Sequence, residues 1–218
     1  MVFDAAGHTD PVARFDILET LALDAGTLRH LDDHLARMAR SAAHFGYRWD
    51  GGRVRAHLRA LAQNHADGLW RVRLVLAADG SARAEAHAMA PTATPVRLQL
   101  ADRPLREAHS DGVRHKLTQR AHYDAFTPTH PAVFDTLLWN EAGEITECTR
   151  GNIAALVDGR WVTPPLSCGL LAGVGRQVAL REGHLAEAVL PLGDVPQVQA
   201  WAFVNSLRGW LDAELVRP

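Results

Sequence analysis

Lys116 is the only lysine in a chain of 218 residues. It sits in Val113-Arg114-His115-Lys116-Leu117-Thr118-Gln119-Arg120, between two arginines. Burial and neighbouring cations favour the neutral amine of a lysine, the form that attacks a carbonyl. Glu147 lies in Glu144-Ile145-Thr146-Glu147-Cys148-Thr149-Arg150-Gly151-Asn152-Ile153, between apolar segments that read as strands. A carboxylate buried there needs a partner to offset its desolvation, and a protonated ring nitrogen would serve. Gly169-Leu170-Leu171-Ala172-Gly173-Val174-Gly175-Arg176 reads as a glycine-rich loop entering a helix, where backbone N–H groups can hold a phosphate. A reactive amine, a lone carboxylate and a phosphate cradle together suit pyridoxal phosphate. The residues alone also allow a solvated lysine and a strand-end glutamate.

The elements that must position these groups can be read in chain order. Phe15 to Leu23 reads as a strand, followed by a turn at Asp24-Ala25-Gly26. Leu31, Leu35, Met38, Ala42 and Phe45 have helical spacing, and Gly46 is a natural stop. A second helix is expected from Asp50, and Trp70 to Ala77 alternates as a half-buried strand. Pro91 and Pro95 mark a stiff linker around residues 88–95. Beyond it, strands are expected at 96–100, 133–139, 144–157, 161–166, 188–190 and 201–204, with helices from about Gly175 and near 195–198. Residues 1–13 carry little pattern and are expected to form a mobile arm. The division expected is a small N-terminal α+β domain, 1–90, and a larger strand-rich C-terminal domain, 96–218.

Thr146-Glu147 followed by Asn152, then Thr163-Pro164-Pro165-Leu166 and Gly169-Leu170-Leu171, resemble the core of the fold-type IV pyridoxal-phosphate enzymes, the class-IV aminotransferase superfamily. The resemblance extends over most of the chain. It implies a two-domain fold of the D-amino acid aminotransferase type. It also implies that Lys116, with arginine four residues on, carries the cofactor covalently, and that Glu147 partners the pyridine nitrogen. Arg37, in His34-Leu35-Ala36-Arg37-Met38, matches the arginine that binds the cofactor phosphate. By the same resemblance Leu171 packs on the ring, Gly173, Val174, Gly175 and Ser206 serve the phosphate, and Arg150 and Asn152 complete the cofactor site. Ala172 stands where many relatives have proline, and Gly175 where many transaminases have threonine.

Within the superfamily, Asn205-Ser206-Leu207-Arg208-Gly209-Trp210 is more similar to the 4-amino-4-deoxychorismate lyases that occur fused behind the aminodeoxychorismate synthase component. Phe15 to Thr20 and Ser41 to Tyr47 point the same way. The implied activity is elimination of pyruvate to leave p-aminobenzoate, a step of folate biosynthesis, with Lys116 and Thr20 as catalytic groups. Arg150 and Arg208 are then candidates for the substrate carboxylates. A branched-chain or D-amino acid aminotransferase shares the same apparatus, and a non-catalytic remnant serving as a binding module is a third reading. The family implies a homodimer, with an aminodeoxychorismate synthase as a further candidate partner.

Composition narrows the other classes. A formal net charge of −2 argues against nucleic acid as the main partner. No apolar run approaches the roughly 18–20 residues of a membrane helix. The N-terminus lacks a basic region followed by an apolar one, so no signal peptide is expected. Cys148 and Cys168 form no disulfide framework, and a reducing cytoplasm is expected. His30 and His34 are four apart without a third ligand, and His109, His115, His122 and His130 lack ligand spacing, so no metal site is expected.

Overall fold

A computed structural model describes residues 15–216. The expected arm, residues 1–13, lies outside the described residues. Two sheets organise the chain, and the cavity discussed below opens between them.

The first sheet has the order β2-β1-β3-β4, from β1 (Ile17–Asp24), β2 (Thr27–Leu28), β3 (Leu69–Leu76) and β4 (Ala82–Ala88). Its pairings are antiparallel. Between β2 and β3 run α1 (Leu31–Phe45) and α2 (Gly51–Gln63). Asp50 caps α2, its side chain accepting from the Arg53 N–H at 2.9 Å. Strand alternation separates the two faces of this sheet. Ile17, Leu21 and Leu23 of β1, with Val72, Leu74 and Leu76 of β3, share one core with Leu35, Met38, Val54 and Leu58 of the helices. The opposite face carries Leu18 and Thr20 of β1 and Arg71 and Arg73 of β3, and these line the cavity. Thr20 is directly opposite Arg73, and Ala22 opposite Arg71.

The second sheet has eight strands, with β5 (Val96–Leu100), β6 (Asp135–Trp139), β7 (Ile145–Cys148), β8 (Asn152–Val157), β9 (Arg160–Thr163), β10 (Ala186–Glu187), β11 (Ala200–Asn205) and β12 (Gly209–Val216). Their order is β10-β9-β8-β11-β12-β5-β6-β7. The pairings of β12 with β5, β5 with β6, and β9 with β10 are parallel. Val96, Leu98, Leu137, Ile153 and Phe203 share its main core. Two one-turn helices, α3 (Asp111–Arg114) and α4 (Ala121–Asp124), flank Lys116, and α5 (Val174–Arg181) follows the glycine-rich loop.

Several expectations are corrected. The run 144–157 is two strands, because the chain turns at Thr149–Gly151, closed by Cys148 N–H donating to the Gly151 carbonyl at 2.7 Å. The short strand expected at 188–190 lies at Ala186–Glu187, and the helix expected near 195–198 is a 3-10 helix at Leu192–Gln197. Strand β4 is missing from the sequence reading. Its AlaArgAlaGluAlaHisAla pattern has no large apolar residue, and it pairs with β3 along its whole length at the sheet edge.

Candidate active site

Lys116 is held between the two sheets by backbone. Its carbonyl accepts from Leu18 N–H of β1 at 2.9 Å, and Thr118 N–H donates to the Asp16 carbonyl at 2.9 Å. These bonds form an antiparallel bridge, with Ile17 opposite Leu117. The amine therefore projects from a segment pinned to the first sheet while facing the second. Desolvation first, then the Arg37 and Arg120 guanidiniums, lower its pKa from 10.5 to about 8, against the opposing pull of Glu19 and Glu147. Arg120 thus acts on Lys116 as expected. Arg114 does not: it is exposed and does not contribute to the shift.

Glu147 lies within β7, not between strands, and is buried. Tyr123 of α4 donates its hydroxyl to Oε1 at 2.6 Å, and Leu171 N–H donates to the same oxygen at 3.2 Å. The Asn152 amide approaches Oε2 at 3.4 Å. Burial dominates these bonds and pushes the carboxyl up to about 7. Tyr123 is held as a donor, since burial and the adjacent Glu147 push its own ionisation well above the usual range. Glu147 is thus a carboxylate fixed on several sides, with no salt-bridged cation among the described residues.

Arg37 projects from α1, buried, and its NH1 reaches across to the Ala172 carbonyl at 3.1 Å. Glu19 of β1 receives Arg37 through two bonds, Nε to Oε1 at 2.8 Å and NH2 to Oε2 at 2.7 Å. His34 Nδ1 is 2.6 Å from the same Oε2. Burial would raise the pKa of Glu19, but Arg37 and His34 outweigh it and hold the carboxyl at about 2. His34 is buried and joins Glu19 and Arg37 in one hydrogen-bonded cluster between α1 and β1.

The glycine-rich loop docks closely on its neighbours. A Cβ on Gly173 would stand 1.9 Å from Asn152 Oδ1, and one on Gly175 would stand 2.6 Å from the Asn205 carbonyl carbon. Any side chain at 175, including the threonine of many transaminases, would displace the Asn205–Ser206 turn. Gly173, Val174, Leu171 and Ser206 line the cavity; Gly175 does not, and supports it from behind. The Asn152 amide also donates to the Leu171 carbonyl at 3.0 Å, tying this loop to β8.

Thr20, Arg37, Lys116, Glu147, Arg150, Asn152, Leu171, Gly173, Val174, Ser206 and Arg208 all line the same cavity, of about 310 Å³. The fold thus gathers eleven of the twelve residues picked from sequence. Arg150 is half-exposed, anchored by Nε to Asp135 at 3.3 Å and by NH2 to the Phe134 carbonyl, with its guanidinium 4.7 Å from the Phe134 ring centre. Asp135 is fully buried and also receives Thr149 Oγ1–H at 2.6 Å and Arg150 N–H at 3.2 Å, which fixes the turn carrying Arg150. Arg208 hydrogen-bonds Thr92 of the linker. Burial, then Arg150 and Arg71, hold its pKa below the usual value.

The sequence reading missed Glu19, His34, Tyr123, Asp135, Arg71 and Arg73. The last two were legible as the polar positions of an alternating strand, but alternation does not distinguish a cavity from bulk solvent. Six arginines line the cavity (Arg37, Arg71, Arg73, Arg120, Arg150 and Arg208) with one lining carboxylate, Glu147; Arg37 is paired with Glu19 and Arg150 with Asp135, and the other four have no salt-bridged carboxylate among the described residues. Such an excess of cations suits a ligand with several negative charges.

Residues 16–216 match the family model for class IV amino-transferases. The chain belongs to this family. A Schizosaccharomyces pombe protein named "Putative aminodeoxychorismate lyase" is 33% identical over 181 residues, covering 79% of this chain and 76% of that protein. A Mesorhizobium loti crystal structure, named "Putative amino-acid aminotransferase", is 38% identical, with a TM-score of 0.85 over 93% of this chain and 100% of that one. A hypothetical aminotransferase from Mycobacterium tuberculosis in its PLP-bound form shares the fold, with a TM-score of 0.77, 20% identity, and coverage of 92% and 80%. The fold is thus that of the fold-type IV aminotransferases and lyases, and membership implies pyridoxal phosphate. The cavity fits that group: Glu147 is a buried carboxylate without a salt-bridged cation and suited to a ring nitrogen, Lys116 is a desolvated amine, and α5 begins at the cavity wall, at Val174. No helix among the described residues is long and apolar enough to cross a membrane.

Proposed function

We propose that this class IV enzyme is a pyridoxal-phosphate-dependent 4-amino-4-deoxychorismate lyase, releasing pyruvate and leaving p-aminobenzoate. The observation that carries the reading is the cation excess of the cavity. Arg37 and Arg150 already have carboxylate partners in Glu19 and Asp135, but one phosphate does not account for Arg71, Arg73, Arg120 and Arg208 as well, and a substrate with two carboxylates offers them partners. The identity shared with the S. pombe relative supports the same branch.

Lys116 is the residue to hold the cofactor, Glu147 the partner of its ring nitrogen, and Arg37 with the Gly173–Val174 backbone the binders of its phosphate. The bound group supplies an electron-withdrawing ring that stabilises negative charge on the substrate carbon bearing the amine. Glu147 keeps that ring protonated, and Tyr123, Leu171 and Asn152 keep Glu147 in place. Once the substrate's amine has displaced it, the freed Lys116 amine, with a pKa of about 8, would be unprotonated in a useful fraction near neutral pH and would take the proton from that carbon. A proton for the departing pyruvate comes from Lys116 or from Thr20, which shares the cavity wall. Arg71, Arg73, Arg150 and Arg208 orient the carboxylates. Aromatisation of the ring makes elimination downhill, so placement and proton transfer are the protein's main tasks.

The name of the M. loti structure keeps an aminotransferase as the second reading. Incubating purified protein with 4-amino-4-deoxychorismate, and separately with amino donors and 2-oxoglutarate, separates the two. The lyase reading expects p-aminobenzoate and pyruvate in equal amounts, lost in Lys116→Ala by at least about 10²–10⁴-fold. Keto-acid formation without p-aminobenzoate would replace it with the aminotransferase.

A further inference from the structure

At the edge of the cavity, which His115 also lines, three side chains converge from two distant parts of the chain. His44 comes from the last turn of α1, Asp111 opens α3, and His115 follows α3 immediately before Lys116. Their ligand-capable atoms all lie within 4.8 Å of one another. His44 Nε2 is 3.0 Å from Asp111 Oδ2, and the His44 and His115 rings stack with centres 4.4 Å apart.

His115 has one ring nitrogen engaged by a buried hydroxyl. Its Nδ1 is 2.9 Å from the hydroxyl of Ser41, which is 2% exposed. A bond from Nδ1 to a buried oxygen fixes the ring and leaves Nε2 free to ligate. Asp111 opens α3 and His115 closes it, with His115 N–H donating to the Asp111 carbonyl at 2.9 Å, so this single turn holds the two residues close. Two imidazoles and one carboxylate make a borderline donor set suited to zinc and neighbouring divalent transition ions. Ligands on tetrahedral zinc stand about 3.4 Å apart, from bonds of about 2.0–2.1 Å. The pair at 3.0 Å is already close to that; the His44 ring must turn out of its stack on His115 for both in-plane lone pairs to meet one ion, and His44 and Asp111, about half exposed (46% and 53%), can turn without disturbing a core.

We propose that His44, Asp111 and His115 form a divalent transition-metal site, of the zinc class, with its remaining position open to water. The ion ties the end of α1 to the backbone directly before Lys116. It therefore links the helix that carries Arg37 to the segment that carries the lysine.

The test is calorimetric titration of the chelator-treated holoprotein with Zn²⁺, repeated with Co²⁺ to read ligand-field absorption. Wild type should bind one equivalent saturably, with visible cobalt bands of tetrahedral intensity and a rise in thermal midpoint. His44→Ala and Asp111→Asn, both at half-exposed positions, should weaken this event at least about tenfold, and Ser41→Ala by about tenfold through loss of ring orientation. Thermal unfolding in chelator checks that each variant is folded. Absence of a saturable 1:1 event in wild type overturns the proposal. So does binding left undiminished in both His44→Ala and Asp111→Asn, which would assign the ion to other histidines.

Discussion

At the scale of single residues, the site sets two titrating groups against their ordinary behaviour. Lys116 is moved down to about 8 by desolvation and by Arg37 and Arg120. Because it is the only lysine, its reaction with an amine-acylating reagent in cofactor-free protein can be followed by mapping one peptide. The rate should be half-maximal near pH 8, against 10.5 for a free lysine. Glu147 is moved up, from 4.5 to about 7, by burial. From pH 4.5 to 7 the unfolded carboxyl ionises while the native one keeps its proton. The native state then binds more protons, so stability falls as pH rises through this window. The loss is on the order of 3 kcal/mol. Glu147→Gln should therefore stabilise the cofactor-free protein at pH 8, flatten its denaturation midpoint across this pH window, and lose activity. A midpoint of the variant at or below wild type at pH 8 would contradict this account of Glu147. Arg71→Ala removes one charge-assisted contact of about 1.5–3 kcal/mol, so the lyase reading expects KM to rise about tenfold to a hundredfold with kcat less affected.

At the scale of elements, close docking is what aligns the groups. The loop at Leu171–Gly173 is tied to β8 through Asn152, and Gly173 leaves no room for a side chain. Gly173→Ala should displace the Asn152 amide and with it one support of Glu147. The expected result is a cofactor titration weakened by about tenfold or more, with the far-ultraviolet circular dichroism unchanged. The long elements were legible from sequence for plain reasons. Helix α1 shows an apolar stripe from Leu31 to Phe45, and β1 and β3 are rich in leucine and valine. Strand β4 was not, because its alanines carry little signal and its place comes from pairing with β3. Lys116, Glu147 and Arg37 could be picked because their local motifs are compact. Glu19 and His34 could not: Glu19 looks like the polar position of a strand, and only packing of β1 on α1 joins it to His34 and Arg37. His44, Asp111 and His115 are similarly scattered, since 67 residues separate the first two.

At the scale of the molecule, the first sheet divides its labour between two faces. One is a hydrophobic core with α1 and α2, and the other a cationic wall facing the second sheet. The second sheet supplies Glu147, Asn152 and Arg150, and the segment bearing Lys116 is hydrogen-bonded across to β1. The Arg37 bond to the Ala172 carbonyl and the Arg181 pair with Asp33, at 3.1 Å, hold α1 to the loop and to α5. Opening this contact would separate Arg37 from the glycine-rich loop beside it. Whether Lys116 carries pyridoxal phosphate in this cavity is read from the visible absorbance of the purified protein before and after borohydride. A yellow band that borohydride removes, with the reduced label mapped to the Lys116 peptide and absent from Lys116→Ala, is the predicted result. No band after added pyridoxal phosphate, or a label on any residue other than Lys116, would contradict it.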